Sequence, residues 1–183
     1  MYELDREITL LINGWAGHNE LADTLAIWCA NDLIFVMVAI VALRWWQIGN
    51  YPRMRHSCLV AGLSFLLAVA FNLLITLFIH RVRPNDAGLT QALIGHSPDW
   101  SFPSDHAATS TAVAAALWFQ NHKKLATALL VATAVIAVSR VFVGVHYVSD
   151  VIGGAFVGIA AAYVVSMSFG EDSRLSRRLF RIF

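Results

Sequence analysis

Three short polar segments interrupt an otherwise apolar chain, and together they carry the side chains that phosphate chemistry needs. Each lies where a long hydrophobic run begins or ends, so all three can meet at one boundary of a membrane. Their arginines, histidines, serine and carboxylate suit binding a phosphate group and cleaving its ester or anhydride. The segments are Arg83-Pro84, Pro103-Ser104-Asp105-His106, and Ser139-Arg140 followed by His146 and Asp150.

A histidine and a carboxylate at the start of the last apolar run have the spacing of a catalytic pair. His146 and Asp150 are four residues apart, so they share one face of a helix. An aspartate there accepts a hydrogen bond from one imidazole nitrogen and leaves the other free to attack phosphorus. A structural pair that only caps a helix has the same spacing, and these two residues alone support both interpretations equally.

Arginines at two of the segments provide candidate phosphate clamps. Five residues separate Arg140 from His146, so a tight turn brings the planar guanidinium beside the imidazole. Without that neighbour, contact with lipid headgroups would explain Arg140 better. Arg83 offers a second clamp at the end of an earlier apolar run. His80 and Arg81 are accessory candidates for a second phosphate, and an orientation toward headgroups explains them equally well.

The middle segment has the features of a helix start that binds an anion. Pro103 is typical of a first helical turn, where free backbone N–H groups favour an anion and the Ser104 hydroxyl adds a donor. His106 is placed to protonate a departing oxygen. Ordinary helix-start chemistry explains the proline and the serine but gives His106 no role.

The histidines do not have the pattern of a metal site. His80, His96, His106 and His146 lack the spacing of helical or zinc-knuckle ligands, and the neighbouring arginines would repel a cation. We therefore expect no metal and no other cofactor.

Composition predicts a membrane protein. The chain is 58% hydrophobic and 14% charged, whereas a soluble domain carries about 25% charged residues. A net charge of +1 gives no reason to expect a nucleic-acid partner. The 183 residues are consistent with one domain, an all-α integral membrane bundle.

About five apolar stretches approach the roughly 20 residues that cross a bilayer. Residues 1–18 precede them and predict an interfacial amphipathic helix, with Leu4, Ile8 and Leu11 at helical spacing. Gly154 and Gly158 predict close helix packing, and packing within the chain is favoured over a dimer interface. The predicted spans are Leu21–Leu43, Ser57–Ile79, Pro103–Phe119, Leu125–Phe142 and Val148–Phe169.

Basic residues predict the orientation in the membrane. Nine of the thirteen Lys and Arg fall on one side of the predicted bundle, which the positive-inside rule assigns to the cytoplasm. The polar segments and the active-site loop, residues 80–102, then lie on the outer face, and the C-terminus lies in the cytoplasm.

In order and spacing, the segments resemble the type 2 phosphatidic acid phosphatase superfamily, whose pattern is Lys-x6-Arg-Pro, Pro-Ser-Gly-His and Ser-Arg-x5-His-x3-Asp. Thr76 replaces the lysine and Asp105 the glycine, and both departures are similar to the bacitracin-resistance branch, the undecaprenyl pyrophosphate phosphatases. The chain reads Thr76-x6-Arg83-Pro84, Pro103-Ser104-Asp105-His106 and Ser139-Arg140-x5-His146-x3-Asp150.

The resemblance implies a metal-independent bacterial inner-membrane enzyme that hydrolyses an isoprenoid pyrophosphate lipid through a phosphohistidine. His146 would be the nucleophile, Asp150 its orienting partner and His106 the acid. Thr76 would be an accessory residue that replaces the missing lysine only in part. The implied phosphate-binding residues are Arg83, Arg140, Ser104, Asp105 and Ser139.

Three other functions fit the same sequence. A lipid phosphatase acting on phosphatidylglycerophosphate or phosphatidic acid would use the same residues, as would a phosphotransferase. A non-catalytic protein that binds anionic lipid would use the polar segments only as anchors. The complete third motif favours catalysis.

Overall fold

The computed structural model describes residues 2–46, 51–95 and 98–169. Within these ranges every regular element is helical, which confirms the predicted all-α class. A short 3-10 helix, Arg44–Trp46, follows α3. The α-helices are α1 (Tyr2–Asn13), α2 (Glu20–Asn31), α3 (Leu33–Leu43), α4 (Tyr51–Thr76), α5 (Asp105–Phe119), α6 (Lys123–Phe142) and α7 (Val148–Ser168).

The helices include spans of the expected length and apolarity. Three described stretches, Arg53–Thr76, Lys123–Phe142 and Val148–Ser168, are long and apolar enough to cross a membrane. Helix α2 together with Leu33–Trp46, which comprises α3 and the 3-10 helix, qualifies as a fourth, although the pair bends by 49°. The prediction of a membrane helical bundle is therefore confirmed, with three or four qualifying spans among the described residues where the sequence suggested about five.

Two of the predicted spans differ from the observed helices. The stretch 21–43 is divided into α2 and α3 because Asp32 ends the first helix, its N–H donating to the Trp28 carbonyl at 2.8 Å. The stretch 103–119 corresponds to α5, which has 15 residues. Such a helix is about 22 Å long, shorter than the roughly 30 Å hydrocarbon layer.

Helix α5 lies at the centre of the bundle. It packs against α4, α6 and α7, and its residues from Ala107 to Leu117 are all buried. Small side chains allow this close approach. A Cβ added at Gly158 would collide with the Ala108 carbonyl oxygen, and one at Gly154 would lie 2.5 Å from the Ser104 carbonyl oxygen. The two glycines therefore pack α7 onto α5 within the chain, as predicted.

The N-terminal helix has its polar side toward the protein. Thr9 and Asn13 are 1% and 5% exposed, whereas the apolar residues Leu4 and Leu11 are 60% and 70% exposed. Helix α1 contacts α6 and α7. The amphipathic helix predicted over residues 1–18 thus exists as Tyr2–Asn13, and its polar stripe packs against the bundle.

Candidate active site

His146 lies where two arginines from distant parts of the chain converge. Its Nε2 atom is 3.3 Å from Nη1 of Arg83 and 3.4 Å from Nη2 of Arg140. All three side chains are buried, with exposures of 2%, 6% and 7% respectively. Arg83 comes from the loop that follows α4, whereas Arg140 belongs to the last turn of α6. The tight turn expected between Arg140 and His146 is therefore present.

Gly144 allows the turn that joins α6 to α7. Its φ angle is 83°, which is in the left-handed region that glycine adopts without strain. A Cβ at this position would also collide with the Gln91 carbonyl oxygen. The Gly144 carbonyl accepts a hydrogen bond from Oγ1 of Thr90 at 2.7 Å, so the loop between α4 and α5 holds the turn in place.

The other ring nitrogen of His146 is bound to the backbone. Nδ1 lies 2.9 Å from the Ser101 carbonyl oxygen and 3.7 Å from Oδ2 of Asp150. A carbonyl can only accept, so Nδ1 carries the proton and Nε2 presents its lone pair toward the arginines. The sequence suggested that the Asp150 carboxylate would be the direct partner of the imidazole, but the nearer partner is Ser101.

Asp150 acts on the histidine through its neighbours. Its Oδ2 accepts hydrogen bonds from Oγ of Ser101 at 2.5 Å and from the backbone N–H of Tyr147 at 2.8 Å. The carboxylate therefore fixes both the residue whose carbonyl holds the His146 ring and the backbone next to that histidine. It is fully buried.

The surroundings of His146 keep its imidazole neutral. Burial lowers the pKa of His146 to about 4; the charges of Arg140 and Arg83 act in the same direction, against the Asp150 carboxylate. A neutral imidazole with its proton on Nδ1 has the protonation state that a nucleophile needs.

Both arginines are anchored by oxygen atoms. Arg83 donates to the carbonyls of Asp99 at 2.9 Å and Val145 at 3.0 Å. Arg140 donates from Nη1 to the Ala30 carbonyl and to Oδ1 of Asn31, each at 3.4 Å. The break between α2 and α3 thus provides hydrogen-bond acceptors for Arg140 inside an apolar bundle. This contact explains why the polar Asn31 is tolerated there.

The N-terminus of α5 brings the middle segment to the same place. The Ser104 N–H donates to the Asp150 carbonyl at 3.0 Å, and this bond joins the starts of α5 and α7. Oγ of Ser104 is buried and makes no hydrogen bond with the described part of the chain. A buried hydroxyl without a partner costs about 1–3 kcal/mol, so an anion oxygen at this position would satisfy it.

His106 and Asp105 follow in the first turn of α5. His106 is half-buried, and it lies close enough to Arg140, His146 and Arg83 for their charges to act on its imidazole. Asp105 is exposed, and its Oδ1 accepts a hydrogen bond from Nδ2 of Asn72 at 2.6 Å. The carboxylate, which stands where the resembled motif has a glycine, is therefore held by an amide from α4.

Two accessory candidates have other partners. Oγ1 of Thr76 donates to the Leu73 carbonyl of its own helix at 2.9 Å. The His80 ring packs against Trp100 with 4.9 Å between ring centroids. Neither contact involves the cluster of His146, Arg83 and Arg140 (the His146 cluster). A role in phosphate binding stays a prediction for both residues.

Arg81 and Ser139 are the remaining candidates. Arg81 lies between the carboxylates of Asp5 and Asp150, each 2.7 Å away. It thus supports the site's framework, and its predicted contact with a second phosphate has no support in these bonds. Ser139 is buried one residue before Arg140, and its carbonyl accepts the Val143 N–H.

Sequence reasoning missed Ser101, Asn72 and Asp5 as contributors to the site. Ser101 lies just before the second motif, but a backbone carbonyl leaves no signature in a sequence. Asn72 is a polar residue within an apolar span and is 1% exposed, so its polarity was the available signal. Among the described residues, no group of three or more His, Cys, Asp or Glu is arranged to hold a metal ion, and His96 lies outside those residues.

Comparison with known proteins agrees with this geometry. The chain is 33% identical over 161 residues to the undecaprenyl-diphosphatase BcrC of Bacillus subtilis (strain 168), covering 88% of this chain and 82% of that protein. It is 31% identical over 150 residues to a decaprenylphosphoryl-5-phosphoribose phosphatase of Mycobacterium tuberculosis (strain ATCC 25618 / H37Rv), covering 82% of this chain and 78% of that one.

The fold also matches a solved structure. A transmembrane PAP2-type phosphatidylglycerolphosphate phosphatase from Bacillus subtilis aligns with a TM-score of 0.67 and 22% identity, over 94% of this chain and 88% of that one. The model of the PAP2 superfamily matches residues 57–174, a range that contains Arg83, Ser104, His106, Arg140, His146 and Asp150. With the relatives, the fold and these residues in agreement, the chain belongs to the PAP2 superfamily.

Proposed function

We propose that this membrane hydrolase releases inorganic phosphate from a prenyl diphosphate, with undecaprenyl diphosphate as the preferred substrate. The observation that carries the proposal is the position of Nε2 of His146, 3.3 Å and 3.4 Å from two buried guanidiniums. Two like charges at one point repel each other in a low-dielectric interior, so an anion between them is strongly favoured.

The first step would form a phosphohistidine. Nε2 of His146 attacks the terminal phosphorus, and the bond from that phosphorus to the bridging oxygen breaks. The negative charge of the bound diphosphate favours the protonated form of His106, which gives its proton to the bridging oxygen so that the prenyl monophosphate can leave. Arg83, Arg140 and the Ser104 hydroxyl hold the three equatorial oxygens, whose charge increases in the transition state.

The second step would hydrolyse the phosphoenzyme. His106, now neutral, takes a proton from a water molecule as that water attacks phosphorus. The P–Nε2 bond breaks, inorganic phosphate leaves, and both histidines return to their starting protonation states. This division replaces one difficult displacement with two easier ones and needs no metal.

The choice of a prenyl substrate draws on the relatives and on an apolar cavity. The two relatives above are named for undecaprenyl and decaprenyl lipids. Helices α3, α4 and α5 line a cavity of about 470 Å³, whose walls include Val41, Phe65 and Val113 and are almost wholly apolar. Such a surface matches a hydrocarbon chain, because it presents almost no polar group that the chain would leave without a hydrogen-bond partner.

The membrane orientation is also part of the proposal. The chain forms one domain with its active site on the extracytoplasmic side, covered by residues 80–102, and its C-terminus in the cytoplasm. Helix α1 lies in the interface, since its exposed apolar residues, such as Leu4 and Leu11, can enter the lipid while its polar stripe faces the bundle. The basic residues after position 169 lie outside the described residues.

A substrate comparison tests this function. Purified protein in detergent is given undecaprenyl diphosphate, a prenyl-linked sugar phosphate and phosphatidylglycerophosphate, and phosphate release is measured for each. We expect the highest kcat/KM with the diphosphate. His146→Asn, which retains a donor for the Ser101 carbonyl, should lose at least about a thousandfold in kcat. A clear preference for the glycerolipid, or full activity in His146→Asn, would contradict the proposal.

A further inference from the structure

Arg81 is held between two carboxylates from opposite ends of the chain. Its Nη2 donates to Oδ2 of Asp5 and its Nη1 donates to Oδ1 of Asp150, each at 2.7 Å. The guanidinium carbon also lies 3.8 Å from the centre of the Tyr147 ring. Arg81 is 21% exposed, Asp5 11% and Asp150 0%, so this ionic network is largely shielded from water.

Asp5 has a second task at the start of α7. Its Oδ1 accepts the backbone N–H of Ser149 at 2.8 Å, and its Oδ2 accepts the Ser149 hydroxyl at 2.6 Å. One turn further along α1, Oγ1 of Thr9 accepts the N–H of Val148 at 3.2 Å. The first N–H groups of α7 are therefore capped by side chains of another helix. A carboxylate there also complements the helix dipole.

The polar stripe of α1 continues with Asn13. Its Nδ2 donates to the carbonyls of Gln91 at 2.9 Å and Phe142 at 2.8 Å, and its Oδ1 accepts the Gln91 N–H at 2.9 Å. Asp5, Thr9 and Asn13 are each four residues apart, which places them on one face of α1. That face contacts the loop between α4 and α5, which carries Arg83, and the last turn of α6, which carries Arg140. It also contacts the start of α7, immediately after the turn that holds His146.

A continuous path of contacts leads from α1 to the nucleophile. Asp5 binds Arg81, Arg81 binds Asp150, and the other oxygen of Asp150 accepts the Ser101 hydroxyl. The Ser101 carbonyl in turn accepts Nδ1 of His146. The match to the family model begins at residue 57, so Asp5 lies outside the matched region.

We infer that Asp5 is a positioning residue for the phosphoryl transfer, acting through Arg81 on Asp150 and so on the orientation of His146. The inference rests on the proposed function. Asp5 neutralises Arg81 and fixes its fork, which leaves Asp150 a single geometry in which to hold Ser101 and the His146 ring. Loss of the Asp5 charge releases one side of Arg81, and the nucleophile then loses its alignment while the phosphate-binding arginines keep theirs.

Asp5→Asn is the direct test, and Glu7→Gln is its matched control because Glu7 is an exposed carboxylate on the same helix. Kinetics are measured on a prenyl diphosphate and expressed per folded molecule. We expect Asp5→Asn to lower kcat about tenfold to a hundredfold, as loss of alignment does, with KM within about twofold of the parent. Asp5→Glu should recover part of the loss, and Glu7→Gln should match the parent.

A double variant tests the path itself. Since Asp5 and Arg81 act as a unit, the loss in Asp5→Asn/Arg81→Gln should be no greater than the larger single loss. The inference is overturned if Asp5→Asn has the kcat of the parent and Arg81→Gln raises only KM. That result would assign Arg81 to phosphate binding. If Asp5→Asn does not fold, Arg81→Lys keeps the charge but loses the fork, and parental kcat in that variant overturns it equally.

A readout without substrate separates this inference from the proposed function. Nitrogen-15 NMR of the His146 ring reports its Nδ1 hydrogen bond whether or not prenyl diphosphate is the substrate. We expect Asp5→Asn to shift the His146 resonances and Glu7→Gln to leave them in place. Unshifted resonances in Asp5→Asn would overturn the positioning role, even in an enzyme that is active on prenyl diphosphate.

Discussion

The proton of His146 is placed by a backbone carbonyl, and this choice of partner has consequences for the chemistry. The Ser101 carbonyl cannot be protonated in the physiological range, so it holds the Nδ1–H tautomer at every working pH. The Asp150 carboxylate supports this arrangement from 3.7 Å through Ser101 and the Tyr147 N–H. The proposed nucleophile, Nε2 of His146, therefore has its lone pair in place before a substrate binds.

His146 should remain neutral in mildly acidic solution. Burial lowers its pKa to about 4, so at pH 5.5 we expect about 3% protonation, whereas an ordinary histidine would be about 90% protonated. The folded state binds fewer protons than the unfolded state between these two pKa values, so this group reduces stability as the pH falls from 6.5 toward 4. NMR titration of the ring checks this, and a midpoint above pH 6 would contradict it.

Asn72 should protect the phosphate site from the Asp105 carboxylate. Its amide holds Oδ1 of Asp105 at 2.6 Å. In Asn72→Ala the carboxylate is free to approach Arg83 and Arg140 and to compete with phosphate. We expect KM for the prenyl diphosphate to rise about fivefold to tenfold, which corresponds to about 1–1.4 kcal/mol.

Removal of the competing charge should reverse this effect. The double variant Asn72→Ala/Asp105→Gly restores the glycine of the family pattern, so its KM should return to within about twofold of the parent. Steady-state kinetics on the two variants measure both changes. A double variant as impaired as Asn72→Ala alone would show that Asn72 acts by another route.

At the scale of elements, a short central helix organises the site. Helix α5 presents Ser104 and His106 at one end, and glycines of α7 let the two helix starts come together. The bond from the Ser104 N–H to the Asp150 carbonyl at 3.0 Å is possible only at this close approach. The packing of α7 on α5 therefore shapes the candidate active site as well as the fold.

Gly158→Ala should separate these helices. The new methyl would meet backbone atoms of Ala108 and Ala112, which have no rotamer by which to move away. We expect a loss of about 1–3 kcal/mol in unfolding free energy. Gly62→Ala on α4 is the matched control, since nothing lies within 4 Å of its added methyl. It should be neutral or stabilise by up to about 1 kcal/mol.

Thermal unfolding in detergent compares the two glycine variants. A lower midpoint for Gly158→Ala than for Gly62→Ala is the expected order. Equal midpoints would indicate that α5 and α7 do not depend on this close contact.

The sequence predicted those features that local pattern determines. Arg83, Arg140 and His146 stood out because polar and charged residues at the ends of apolar runs usually have a functional or structural role. The four-residue spacing of Gly154 and Gly158 indicated close helix packing, because it places two residues without side chains on one helix face. The roles of Ser101, Asn72 and Asp5 depend on which distant atom the folded chain brings near, and a single sequence contains no such pairing. The short α5 was overestimated as a span because its apolar composition reflects burial in protein.

At the scale of the whole molecule, the bundle has a polar end and a basic end. The His146 cluster lies at the end formed by the α4–α5 loop and the α6–α7 turn. The first turn of α6, at the opposite end, carries Lys123 and Lys124. The positive-inside rule assigns that basic end to the cytoplasm, and the enzyme would then process diphosphate lipids on the outer surface.

Labelling of single cysteines tests this orientation. In a background with Cys29 and Cys58 replaced by alanine, we expect a membrane-impermeant maleimide to label Ala87→Cys in intact cells. Lys124→Cys should react only after permeabilisation, and both positions are exposed. The reverse labelling pattern would place the active site in the cytoplasm.

The covalent intermediate is the most direct test of the account. Protein is mixed for milliseconds with undecaprenyl diphosphate labelled with phosphorus-32 in its terminal phosphate, then quenched in alkali, which preserves phosphohistidine. We expect label on the peptide that contains His146, with up to one phosphate per active site, and none in His146→Asn. Efficient release of phosphate with no label on that peptide, or with label on the peptide of His106, would contradict the assignment of His146 as the nucleophile.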